Sequence, residues 1–245
     1  MKDLFSAQSE LYQQARPTYS QSLVNCLIAQ LNGLDSAWDC GAGSGQLTQL
    51  IAPYFQHVVA TDLSQNQLDQ APALPNVQYL QQAAEQTSFA DQSFDLITVA
   101  QAIHWFDFEK FYAEVKRILK PDGLFAVIGY GLLTLDKKDL NDRVQHLYFE
   151  TLNGFWDAER RYIDEHYQTI PFPFEEIAMP QFQIELGWTG SQLWDYLNTW
   201  SAVKHYQDQQ HVSPLASLED ILQIQQPIGI RFPILLRVGR LAASK

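Results

Sequence analysis

The sequence predicts an α/β fold, a parallel sheet covered by helices on both faces, and three observations predict it. Short, apolar, β-rich runs alternate with helical patterns over the first hundred-odd residues. A glycine cluster, WDCGAGSGQL at 38–47, stands where the first such run gives way to a helix. The strongest runs, FDLITVA and LFAVIGY, are apolar at nearly every position instead of alternating, as strands buried on both faces are.

Each element follows in order. SAWDCG (36–41) is the first strand, and QLTQLIAPYF (46–55) the helix after the glycines. HVVATD (57–62) is the second strand, followed by a helix over 64–71 that Ser64 can cap. NVQYL (76–80) and FDLITVA (94–100) are the third and fourth strands. FEKFYAEVKRIL (108–119) repeats apolar residues at helical spacing; KPDG ends it, and LFAVIGY (124–130) is the fifth strand. Beyond residue 131 the rhythm changes. Residues 136–169 read as mainly helical and aromatic-rich, with IPFPF (170–174) as a break. QFQIELGWT (181–189) alternates like a strand, residues 190–206 read as one helix, and GIRFPILLRVG (229–239) as the last strand. Pro233 lacks an amide hydrogen, so that strand needs a bulge or an edge there. The chain carries no repeat, low-complexity tail or flexible linker. The expectation is therefore a single domain over 1–245, with 132–178 a helical cap inserted between strands five and six.

Composition narrows the partners. The chain has 245 residues, 16 Lys and Arg against 28 Asp and Glu, and a formal charge of −12. Such a field repels phosphate backbones and anionic lipid, so neither nucleic acid nor a membrane surface is the expected partner. The longest uncharged apolar stretch, LFAVIGYGLL (124–133), is well short of the roughly 18 residues of a membrane span. The opening MKDLFSAQSE has no apolar signal core, and Cys26 and Cys40 form neither a disulfide framework nor a zinc pattern. A cytoplasmic protein is expected, as monomer or homodimer, with no metal site among its six histidines and two cysteines.

The glycine loop carries the first functional signal. The dinucleotide fingerprint G-x-G-x-x-G needs glycine at 46, where Gln46 stands; the chain has D-x-G-x-G-x-G at Asp39, Gly41, Gly43 and Gly45. A loop that leaves a strand and opens a helix presents bare amides at the carboxyl end of the sheet. Asp62 ends the second strand, where a carboxylate can accept from two ribose hydroxyls. A tight strand–helix turn alone would also use the glycines, but together the features point to an adenosine-type ligand.

On these residues the chain resembles the class I S-adenosylmethionine-dependent methyltransferases. AAEQTSF (83–89) stands where their adenine-lining loop follows strand three, and FDLITVAQAIHWFD and LKPDGLFAVI are similar to their strand-four and strand-five motifs. AIHWFD (102–107), YQQARPTY (12–19) and RFPILLRVGR resemble the trans-aconitate methyltransferase-like branch. The resemblance implies a Rossmann-like, doubly wound sheet of seven strands with the last antiparallel, and S-adenosylmethionine as cofactor. It places Gly41, Ala42 and Gly43 at the methionine part, Asp62 on the ribose, and Leu63 against the adenine. Ala84 and Glu85 fall at the base edge, and Ala100 and Gln101 beside the methionyl chain. Ala83 stands where the family has an acid, which leaves polar contact to the base to Glu85 or the backbone. Tyr12 and Arg16, four apart, share one face if their segment is helical. In the family such a segment closes over the cofactor, with Arg16 able to pair with its carboxylate; an amphipathic surface helix would show the same spacing.

The acceptor side is read from HWFD and the cap. Methyl transfer from a sulfonium needs mainly alignment and desolvation when the nucleophile is already an anion, such as an organic-acid carboxylate. A neutral metabolite, methylated on nitrogen or oxygen, would need a proton removed, and His104 could serve as base. A third alternative is a protein that binds S-adenosylmethionine without catalysis. Trp105 lies beside the expected methyl, or else anchors the following helix. Arg160 can turn inward from the cap, while Arg161 can pair with Asp157 and Glu165. Tyr196, Trp200 and Lys204 repeat at spacings of four on the 190–206 helix, as core packing or as a ligand wall. The expectation is methyl transfer to a small molecule, with His104 orienting or deprotonating it and Trp105, Arg160, Trp200 and Lys204 around it.

Overall fold

The computed structural model describes residues 16–242. Tyr12, and the expected helix around it apart from Arg16, lie outside the described residues.

Helix α1 (Gln21–Ile28) is capped by Ser20, whose hydroxyl accepts from Leu23 N. It leads to β1 (Ser36–Cys40), at the middle of the sheet between β2 (His57–Asp62) and β4 (Phe94–Ala100). With β3 (Val77–Gln81) and β5 (Leu119–Tyr130), these five strands run parallel in the order 3-2-1-4-5. β4 is buried at every position but Ala100, which accounts for a sequence apolar everywhere but Asp95 and Thr98. Successive residues face opposite sides. Ala37, Leu96, Ala126 and Ile128 join one core with Leu23 and Leu27 of α1. Trp38, Ile97, Val99 and Val127 join the other with Phe111, Val115 and Ile118 of the α4 helix (Phe108–Ile118).

The helices after β1 and β2 are shorter than the sequence suggests. α2 spans Thr48–Ile51 before Pro53 tightens the chain into a 3-10 turn, and α3 spans only Gln65–Leu68. Residues 190–206 are not one helix. α7 (Gly190–Asn198) begins with a Thr189–Gln192 capping box. It stops where Thr199 turns its hydroxyl back onto the Tyr196 carbonyl (2.6 Å), and Trp200 is extended at φ −70°, ψ 128°. α8 (Ser201–Gln210) restarts in a new direction, so the Tyr196, Trp200, Lys204 stripe does not exist as a straight helical face.

β9 (Ile228–Arg240) is antiparallel to β5 and lies inside the sheet. One of its edges pairs with β5 and then β6 (Thr134–Leu135); the other pairs with β8 (Gln183–Trp188) and β7 (Glu175–Glu176). Among the described residues the short strands β6 and β7 raise the seven expected strands to nine. Ile234 N donates to Phe182 O on the β8 side, and the Pro233 carbonyl accepts from Gly131 N on the β5 side. The missing Pro233 donor thus faces residues 131–133, where three residues oppose two and the ladder is interrupted between β5 and β6. The bulge falls on the neighbouring strand instead of on β9.

Between β5 and β8 the chain forms α5 (Lys138–His146), a wide turn over Leu147–Thr151 with Leu152 N bonded to Leu147 O, a 3-10 turn at Ala158–Arg160 and α6 (Arg161–Asp164). Arg237 of β9 fastens this segment to the sheet through the Ile170 carbonyl (2.9 Å), the Tyr167 carbonyl (3.3 Å) and Glu176 (2.8 Å). No helix among the described residues is long and apolar enough to cross a membrane.

Candidate active site

The glycine loop is held open by backbone geometry that side chains resist. Gly41, Gly43 and Gly45 have φ of +69°, +55° and +76°. At Gly41 a Cβ would also lie 2.5 Å from the Ala102 methyl, whereas at Gly43 it would meet nothing closer than 3.7 Å. Gly43 is therefore where a ligand can come nearest to the backbone.

Asp62 ties the loops together. Its Oδ2 accepts from Gly43 N and its Oδ1 from Ser64 N, both at 2.9 Å, while Ala42 N donates to Thr61 O at 2.9 Å. Its position at the end of β2 sets a carboxylate on the rim where the two loops meet. Beneath the loop Asp39 is fully buried and accepts from Thr48 Oγ1 (2.6 Å) and Thr98 Oγ1 (2.9 Å). Burial pushes its carboxyl up to about 6 despite those two donors. At the end of β4, Gln101 has φ +54°. It is held there by its amide on the Ile128 carbonyl (2.9 Å) and its Nε2 on the Tyr130 carbonyl (3.0 Å). A non-glycine residue in that region stores strain, which clusters at working sites.

These elements enclose a cleft of about 150 Å³. Gly41, Ala42, Gly43, Asp62, Leu63, Ala84, Ala100, Gln101, Trp105 and Arg16 all line it. Arg16 donates to Tyr130 Oη (3.0 Å) and to the Thr199 carbonyl (3.2 Å). Glu85 does not line the cleft; its Oε1 accepts from Asp107 N (3.2 Å) at the start of α4, which draws it away from the base edge expected for it. Gln67 and Gln82, which sequence reasoning missed, do line the cleft, and each has a buried Nε2 with no hydrogen-bond partner among the described residues. The signal for Gln82 was its place directly after β3, matching Gly41 after β1 and Leu63 after β2. Gln67 carried no such signal.

A second cavity of about 50 Å³ adjoins the cleft and shares Arg16, Gln101 and Trp105 with it. His104, Arg160, Trp200, Trp156 and Asp157 complete most of its wall. His104 is 7% exposed, with Nδ1 3.4 Å from Tyr167 Oη. Burial, and then the Arg160 charge, lower its pKa to about 3. Arg160 donates from Nε to Tyr148 Oη (2.8 Å), lies 3.6 Å from Asp164 Oδ1 and packs over the Trp156 and Tyr148 rings. Trp200 is 2% exposed and packs against Tyr148, Trp156 and Tyr196. Lys204 is exposed and absent from the wall, which α8 reaches only with Ser201. Arg161 donates to Tyr162 Oη (3.0 Å) instead of pairing with Asp157 or Glu165. Among the described residues no cluster of His, Cys, Asp and Glu is arranged to hold a metal.

Comparison with known proteins places this architecture. Residues 38–127 match the methyltransferase domain family. A Dictyostelium discoideum protein named as a methyltransferase is 36% identical over 202 residues, 81% of this chain and 77% of that protein. A Saccharomyces cerevisiae protein named as an S-adenosylmethionine-dependent methyltransferase is 33% identical over 49% of this chain and 44% of its own length. The solved structure of a protein named as a type II methyltransferase from Anaeromyxobacter dehalogenans superposes with a TM-score of 0.85 at 36% identity, covering 92% of this chain and 97% of that one. Kinship over four-fifths of the sequence joins the strand order and the glycine loop in one conclusion: the chain belongs to the class I S-adenosylmethionine-dependent methyltransferases.

Proposed function

We propose that the protein methylates a carboxylate of a small organic acid, bound in the second cavity under the segment 132–178. The carrying observation is that the cavity beside the cleft holds Arg160 and an unprotonated His104. A base with so low a proton affinity is poorly matched to removing a proton from an amine or hydroxyl near neutral pH. The guanidinium that disfavours an imidazolium favours an anion in the same space. No hydrogen bond among the described residues occupies Arg160 Nη1 or Nη2, so both can serve an acceptor carboxylate. The AIHWFD resemblance to the trans-aconitate methyltransferase-like branch supports the same acceptor class.

The cleft fits the cofactor: it offers amide donors at Gln67 and Gln82 that have no partner among the described residues, the Asp62 carboxylate in its wall, and open backbone at Gly43. In this reading Gly41, Ala42, Gly43, Ala100 and Gln101 border its methionine part, Asp62 accepts from the ribose, Leu63 and Ala84 flank the base, and Arg16 meets its carboxylate. When bound, the cofactor supplies a methyl group on a sulfonium, which leaves as a neutral thioether when the acceptor oxygen takes the methyl. The chain's own part is alignment. Trp105 and Gln101 stand at the junction of the two cavities, Arg160 holds the anion, and His104 orients it through contact. Because no proton leaves, the protein needs no base, only a dry approach path.

The test is Arg160→Gln. The KM of an anionic acceptor should rise at least tenfold with the KM of S-adenosylmethionine little changed, and Lys204→Ala should alter neither. Equal loss for neutral and anionic acceptors would contradict the reading.

A further inference from the structure

We propose that the acceptor carries a hydrogen-bond donor, a hydroxyl or an ammonium group, close to its carboxylate, and that Asp157 recognises it. This rests on the carboxylate reading above. Asp157 lines the second cavity together with Arg160, from the opposite end of the turn over Ala158–Arg160. Among the described residues its Oδ2 is buried without a hydrogen-bond partner, and its side chain does not cap the turn that it precedes. Neither neighbouring arginine bonds to it: Arg160 meets Tyr148 and Asp164 through Nε alone, and Arg161 meets Tyr162. Buried carboxylate oxygens are ordinarily satisfied, because stripping water from one without replacing it costs stability. A rotation about Cβ–Cγ exchanges the two oxygens, so either can serve a ligand without backbone movement.

The turn therefore presents an acceptor at one end and a cationic donor at the other, to the same small space. A molecule that satisfies both has an anion and a donor group near each other. At about 50 Å³ the cavity holds roughly four water-sized groups, enough for a carboxylate and one neighbouring substituent. Hydroxy acids and amino acids have that shape; simple saturated acids lack the donor.

The experiment measures binding by calorimetry in the presence of S-adenosylhomocysteine, with matched acids that differ only in the donor: propionate, lactate and alanine; succinate, malate and aspartate; glutarate, 2-hydroxyglutarate and glutamate. In at least one series the donor-bearing acid should bind tenfold or more tightly than the plain acid. Asp157→Ala should erase that preference, with the plain acid binding no worse than to the wild type. Asp157→Asn separates the two donors: a hydroxyl preference should survive it, and an ammonium preference should fall at least tenfold. S-adenosylhomocysteine should raise the melting temperature of both variants as it does the wild type, which shows that they fold. Plain acids binding as well as their substituted partners, or a preference that survives Asp157→Ala, would overturn the assignment of Asp157 and leave the carboxylate reading intact. If none of the acids binds, both readings fall.

Discussion

Asp62 shows what a single residue does here. Its carboxylate closes the two loops on which the cleft depends, through Gly43 N and Ser64 N. Asp62→Ala should weaken S-adenosylhomocysteine binding by about 1.5–3 kcal/mol, the usual loss for hydrogen bonds to a charged group, or about 10- to 150-fold by calorimetry. Unchanged affinity would remove Asp62 from the cofactor's contacts. Strand-end residues such as Asp62 were legible because the sheet sends its strand ends to one edge. Lys204 was not, because its placement depended on a helix continuing through Thr199 and Trp200, where side-chain bonding stops it. Gln67 was equally hidden, since an unpaired amide is a property of packing and not of sequence.

At the level of elements, the glycine loop and the wide turn at Leu147–Thr151 shape the two cavities. Gly41→Ala combines a positive φ with a 2.5 Å approach to Ala102. The loop must shift, so the variant should show a lower melting temperature and at least tenfold weaker cofactor binding. A variant with wild-type affinity would show that the loop geometry is not needed. The wide turn carries Tyr148, whose ring and hydroxyl hold Arg160. Tyr148→Phe keeps the ring and loses the hydroxyl, so acceptor KM should rise severalfold with kcat little changed, which steady-state kinetics resolves. β4 and the 124–130 part of β5 were readable because they are apolar at nearly every position. The proline in β9 misled only about location: the irregularity it demands lies on the facing chain at 131–133.

Across the whole molecule, two buried groups oppose each other as pH falls. His104 titrates at about 3 in the fold against an ordinary 6.5, so below 6.5 the unfolded chain takes up a proton that the folded one does not. Its contribution to stability is full above 6.5 and is lost on the way down to 3. Asp39 is raised from 3.8 to about 6, so the folded chain holds the extra proton. Its contribution favours the fold at low pH and is lost as pH rises from 3.8 through 6. Between pH 4 and 6 the two slopes cancel. His104→Gln should therefore gain stability relative to wild type as pH falls through this window, by up to about 1.4 kcal/mol per pH unit. Urea denaturation at pH 6 and pH 4.5 measures the difference; parallel behaviour of the two proteins would mean that His104 titrates normally. A His104 neutral at working pH also predicts a methyl-transfer rate that stays nearly flat from pH 6 to 8.5.

The molecule's central chemical claim is that the methyl group ends on a carboxylate oxygen. Tritiated S-adenosylmethionine incubated with the protein and a small-molecule metabolite extract tests this most directly, because methyl esters and N-methyl products part under mild alkali. Most of the transferred label should be released as volatile methanol. Label transferred efficiently but stable to alkali would contradict it, leaving a methyltransferase whose acceptor is an amine or another group that gives no ester.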